Sequence, residues 1–146
     1  MAAEKYESKI TVVPAPIETV YAGLSNFRNL ERIKDLIPKD KVQELEISED
    51  YIRMKVDGLG QKIVIKIEER ILNDTIKFGA ENIPASMNFW IQLKSVAPED
   101  TRMKLTLKVE LPMMFKMMLD KKIQQGIDDA ATMIAQMPFQ QWSTNL

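Results

Sequence analysis

Glu69, Arg70 and Tyr21 are the side chains of this sequence best placed for acid–base or electrostatic chemistry. Glu69 falls in phase with Ile63, Ile65 and Ile67, so an alternating strand would carry its carboxyl towards an apolar interior. Burial of that kind raises a carboxyl's pKa into the range of a general acid or base. Arg70 would add a fixed positive charge beside it, and Tyr21 lies on the inner stripe of the first helical segment. The plainer reading puts Glu69 past the buried part of its strand, solvated beside Arg70. Little other chemistry is within reach, because the chain has no histidine and no cysteine. Nucleophile–histidine arrangements, thiolate chemistry, disulfides and the commonest zinc ligands are therefore all missing. No catalytic residue, metal site or cofactor is assigned, and a protein without catalysis is favoured over an enzyme.

The elements that would position these residues follow from composition and periodicity. With 146 residues, 45% of them hydrophobic and 28% charged, the chain reads as one globular domain, 1–146, able to bury a single core. Twenty basic against twenty-one acidic residues leave a net charge of −1, without the basic field that nucleic acid requires. Residues 1–5 hold no apolar core of a signal peptide, and no run approaches the roughly 20 apolar residues of a membrane span. A cytoplasmic location and no stable membrane insertion are expected.

The longest candidate element is a helix over residues 111–139, starting beside Pro112 and stopping before Pro138. At 100° per residue, Phe115, Leu119, Ile123, Gly126, Ile127, Ala130, Met133, Ile134 and Met137 share an arc of roughly 120°, a stripe for a core. Asp120, Lys121, Gln124, Gln125, Asp128, Thr132 and Gln136 fall outside it. Met113, Met114, Met117 and Met118 project to the face that is polar further along. Flexible and polarisable, they suit a cavity gate, a homodimer contact or a membrane-touching patch. Alternatively the helix begins near Lys116, and residues 112–115 form a buried loop.

Ahead of that helix, residues 6–13 alternate as a strand, with Ile10 and Val12 on one side and Lys9 and Thr11 on the other. Pro14 and Pro16 break it; Pro16 can open a short helix with Ile17, Val20, Tyr21 and Leu24 inward. Ser25 or Asn26 can cap a second, with Leu30 and Ile33 inward until Pro38. From Val42 the period becomes two. About six hairpin-linked strands follow, turning at residues 48–50, 57–60, 73–74, 84–86 and 98–100. Clean alternation means one wet face and one buried face, as in an antiparallel sheet.

This order, together with the opening segment SKITVVPAPIETVYAGLSNFRNLERI and its Pro16, Val20, Leu24 and Phe27, resembles the SRPBCC or START-like helix-grip superfamily. That group includes lipid-transfer domains, pollen-allergen-like proteins and polyketide cyclases. The resemblance implies an α+β helix-grip fold: a curved antiparallel sheet of about six or seven strands wrapped around a long C-terminal helix, with two short helices after the first strand. It also implies a cavity between sheet and helix that holds apolar ligands. The allergen-like members have a glycine-rich loop between their second and third strands, where this chain has Ser48, Glu49 and Asp50. Gly58 and Gly60 lie one hairpin later and read as turn glycines.

The predicted inward positions Ile52, Met54, Val56, Ile63, Ile65, Ile67, Ile76, Phe78, Phe89, Ile91, Met103, Leu105 and Leu107 are all apolar. The residues expected to meet a ligand are Tyr21, Leu24, Phe27, Met54, Ile65, Phe78, Phe89, Ile91, Met103, Leu105, Leu119, Ile123 and Ile127. The outward cations Arg53, Lys55, Lys62, Lys66, Arg102, Lys104 and Lys108 read as a solvated sheet face or as an attraction for anions. Three functions stay open. The first is binding of a small hydrophobic molecule, a lipid or polycyclic compound. The second is a protein-interaction module with a filled core, dimerising through its methionines. The third is a cyclase or dehydratase working through Glu69, Arg70 or Tyr21.

Overall fold

The computed structural model describes residues 2–32, 42–56, 61–83 and 85–144. The expectations for Ile33, Pro38, Gly58 and Gly60 lie outside them. The chain runs β1 (Ala2–Glu7), β2 (Thr11–Val13), α1 (Ile17–Leu24), a 3-10 helix (Phe27–Arg32), β3 (Val42–Ile47), β4 (Tyr51–Val56), β5 (Ile63–Ile71), β6 (Thr75–Glu81), β7 (Met87–Ala97), β8 (Asp100–Leu111), α2 (Met113–Ala135) and α3 (Phe139–Thr144). Strands β3 to β8 form an antiparallel meander, and β1 returns to pair with β8, giving the order β1-β8-β7-β6-β5-β4-β3. β2 also pairs with β8. Register shifts at residues 43–46, 67–69 and 95–97 mark bulges, which bend and coil a sheet into a half-open grip.

The expected strand over residues 6–13 is two strands. Ser8 marks the break: its amide donates to Leu105 O at 2.8 Å, and its hydroxyl accepts from Leu105 N at 2.9 Å. One extra residue between Ser8 and Thr11 inverts the alternation. Tyr6 and Ser8 point inward before the break and Val13 after it, so Ile10 and Val12 are 66% and 50% exposed rather than buried. A single inserted residue moves every following side chain to the opposite face.

Pro16 is the N-cap of α1 rather than its first helical residue, which is Ile17, and α1 buries Val20 and Tyr21. The second short helix is 3-10 rather than α. Asn26 caps it, its Oδ1 accepting from Arg28 N at 2.8 Å.

In α2, Lys116 N donates to Pro112 O at 3.0 Å, so the helix begins at Met113 and includes the methionine quartet. Its 23 residues span about 35 Å. α2 packs on β8, β1 and β2. It runs beside edge strand β1 through a row of polar contacts at four-residue spacing: Lys116 to Glu4 at 3.0 Å, Asp120 from the Tyr6 hydroxyl at 2.7 Å, Gln124 to Glu7 O and Asp128 from Lys9 N, both at 2.8 Å. Asp120, Gln124 and Asp128, which the helical wheel leaves outside the core stripe, together with Lys116 seal the sheet's open edge. Burial and the adjoining Asp120 carboxylate push the Tyr6 hydroxyl up to about 12.

The buried stripe of α2 is narrower than expected. Ile127 and Ala131 are buried, with Ile123, Ala130 and Ile134 packed against the core, while Phe115 and Met133 are exposed and Gly126 faces open space. The core lies along the C-terminal half of the helix. Beyond Pro138, α3 returns the chain to α1, where Phe139 is buried directly over Gly23 and meets Trp142 edge-on at 5.3 Å. In the amino-acid string α3 reads only as the tail after Pro138.

Candidate functional site: an apolar hollow beneath the 3-10 helix

The concave face of β4 to β8 and the 3-10 helix border a half-open hollow of about 420 Å³, lined by Phe27, Leu30, Ile52, Ile65, Phe78, Gly79, Met87, Phe89 and Leu107. None of these carries a polar or titratable side chain. A smaller recess of about 130 Å³ adjoins it, bounded by Gly23, Leu24, Asn26, Phe27, Asn29, Leu30, Phe78, Ile91, Ile134, Met137 and Trp142. Phe27, Leu30 and Phe78 belong to both. Phe78 stands between Phe27, at 5.6 Å and 57°, and Phe89, at 5.8 Å and 50°. These separations and tilts are those that the quadrupoles of aromatic rings favour.

Local chemistry holds the 3-10 helix over the sheet. Phe27 N donates to Glu49 O at 3.1 Å, tying the helix to the β3–β4 turn. Asn29 Nδ2 donates to Gly23 O at 3.0 Å, tying it to α1. Arg70 completes the corner, its Nε donating to Ser25 O at 2.9 Å and its Nη2 to Asp50 Oδ1 at 2.8 Å. The bulge at residues 67–69 is what brings Arg70 there. Past it Glu69 pairs with Lys77 on the outer face, and Arg70 pairs with the buried Ile76. Glu69 is therefore exposed and outward, and the expectation that it shares the phase of Ile63, Ile65 and Ile67 is corrected. Tyr21 is packed into the core and lines neither hollow. The three residues considered for acid–base chemistry do not converge.

Of the side chains expected to meet a ligand, Phe27, Ile65, Phe78 and Phe89 line the larger hollow, and Leu24 and Ile91 the smaller recess. Met103, Leu105 and Ile127 are buried in the filled core, with Ile123 packed against it. Met54 and Leu119 are partly exposed and border neither hollow. The larger space thus lies between sheet and 3-10 helix; α2 contributes only Ile134, to the recess, which Met137 of the α2–α3 connection also borders. The added lining residues Ile52, Met87 and Leu107 share the inward phase of their strands, and Leu30 the inward side of its short helix. Gly79 carries no such signal. Its outer side is covered by Glu68, whose carboxylate a Cβ at Gly79 would strike and which also accepts from Asn88 Nδ2 at 3.0 Å. On that outer face Arg53, Lys62, Lys66, Arg102 and Lys104 each pair with a carboxylate, so they present no free basic field.

As a whole the chain superposes on norcoclaurine synthase from Thalictrum flavum with a TM-score of 0.74, over 97% of each chain, at 11% identity. It has the START-like helix-grip fold. Two further solved structures superpose on it as well. A conserved protein from Geobacillus kaustophilus gives 0.63 over 96% of each chain at 15% identity. A START superfamily protein from Mycobacterium smegmatis gives 0.56 at 16% identity, over 90% of this chain and 97% of the other. No protein-family model matches the sequence, and no curated protein does. Among the described residues no helix is long and apolar enough to cross a membrane, and no cluster of carboxylates could hold a metal ion.

Proposed function

We propose that this protein binds a small hydrophobic molecule in the hollow between the concave sheet face and the 3-10 helix. The observation that carries the reading is a space of about 420 Å³ whose described lining has no polar side chain. That volume lies within the roughly 300–1,000 Å³ of small-molecule sites. Such a space gains by taking up an apolar guest: each 100 Å² of ligand surface withdrawn from water contributes about 2.5 kcal/mol. The described lining offers no nucleophile, acid or base, which supports holding a molecule over transforming it. The fold accommodates small aromatic molecules elsewhere, since the norcoclaurine synthase of Thalictrum flavum has been solved with dopamine and hydroxybenzaldehyde. The Phe27–Phe78–Phe89 row suits a flat ring or an acyl chain equally well.

The test combines solvent extraction of the purified protein, read by mass spectrometry, with titration of the fluorescent apolar probe 1-anilinonaphthalene-8-sulfonate. We expect a co-purifying hydrophobic compound or saturable probe binding, either one lost in Phe89→Asp while circular dichroism shows the fold intact. No extractable compound and no saturable binding would refute the reading, as would unchanged binding in a folded Phe89→Asp protein.

A further inference from the structure

The first two turns of α2 are apolar where no described residue covers them. Met113, Met114, Phe115, Met117 and Met118 are between 49% and 79% exposed. At 100° per residue they spread over about 200° of the helix circumference. Lys116 occupies the remaining side and is held back against the protein by Glu4 at 3.0 Å. A flat partner surface, a second copy of this chain included, covers one side of a helix. Side chains spread this widely are matched by a soft apolar medium that closes around them.

Charge identifies the medium. In the next turn Lys121 and Lys122 are exposed on the outer side, about 6 Å along the axis from Met117 and Met118. Asp120, the one acid between Pro112 and Lys122, is exposed on the side facing β1, where it accepts from the Tyr6 hydroxyl. The overall net charge of −1 conceals a local cationic collar around an apolar tip.

We propose that this end of α2 docks on an anionic lipid bilayer, with the methionines and Phe115 among the upper acyl chains and Lys121 and Lys122 against lipid phosphates. Residues 113–118 cover about 8 Å of helix, comparable to the roughly 5–10 Å to which interfacial helices enter a membrane. Pro112 supplies no side-chain cap, so the first-turn N–H groups need phosphate or glycerol oxygens, which keeps the contact shallow. This is peripheral attachment, and it does not depend on what the hollow holds.

Co-sedimentation with phosphatidylcholine vesicles, with and without phosphatidylserine, tests it. The protein is expected to bind the phosphatidylserine vesicles and to release as salt rises. Lys121→Gln with Lys122→Gln should weaken binding roughly 30-fold, at about fivefold per membrane-proximal charge. Met117→Ser with Met118→Ser should abolish retention at an unchanged melting temperature, since both side chains are exposed in the folded protein. Failure to bind either vesicle, or binding unaltered by both double variants, overturns the proposal. So does a concentration-dependent dimer, seen by sedimentation without vesicle binding and lost in the methionine variant; a second copy would then cover the tip.

Discussion

Replacing Tyr6 by phenylalanine should loosen α2 from the sheet edge without disturbing the core. The change deletes the hydroxyl that donates to Asp120 Oδ1 at 2.7 Å and leaves the buried ring in place. Asp120 is exposed and regains water, so the loss sits low in the range for a hydrogen bond to a charged group, about 1.5 kcal/mol near neutral pH. In a chain of this size that lowers Tm by roughly 3–6 °C. Alkaline pH supplies the sharper signature. The hydroxyl titrates near 10 when unfolded and is pushed up to about 12 in the fold. Below pH 10 both states are protonated and the contribution is complete. Between pH 10 and 12 the unfolded chain gives up a proton that the folded protein keeps, so this stability is lost as pH rises. At 1.36 kcal/mol per pH unit the loss has a ceiling of about 3 kcal/mol. Tyr6→Phe has no such group; less stable at pH 7, it should match the wild type near pH ~11. Urea unfolding of both proteins at stepped pH reads the difference directly. Equal stability at pH 7, with parallel curves above pH 10, would refute the assignment of Tyr6 as the anchor of α2.

Two further predictions concern the corner above the hollow. Glu69→Gln should change stability by no more than about 0.5 kcal/mol, because its side chain is outward and exposed. Arg70→Met should cost about 1 kcal/mol, because its bonds to Ser25 and Asp50 are lost from a partly exposed site. Urea midpoints in the reverse order would mean that the bulge does not invert the strand. Gly23→Ala would drive a methyl to within 2.7 Å of the Phe139 ring. Overpacking there should cost about 1–3 kcal/mol, read as a lower guanidinium midpoint at unchanged slope; an unchanged midpoint would show that α3 yields freely.

The two parity inversions show what kind of information sequence carries. Alternation in β4, β6, β7 and β8 is legible because each side chain answers locally to whether it meets water. Ile52, Phe78, Ile91 and Leu105 are inward as read. Each bulge adds one residue and little compositional signal, yet it decides that Arg70 rather than Glu69 reaches the inner side, and that Val13 rather than Val12 is buried. The methionines of α2 were equally ambiguous. Their apolar character is plain in the string, but whether they are covered depends on where the sheet ends.

By itself the sequence determined the element order from α1 to α2, the antiparallel meander, the apolar inner face and the absence of histidine and cysteine chemistry. Each of these follows from residue types at short range. Only the tertiary structure decided that Met103, Leu105 and Ile127 are packed solid while Phe27, Leu30, Phe89 and Leu107 border a void. An apolar side chain gains by leaving water whether its neighbour is another side chain or an empty space awaiting a guest. Which of the two it meets is set by the curvature of the sheet and by the anchoring of the 3-10 helix and α2 along its rim, contacts between residues as far apart in sequence as Tyr6 and Asp120.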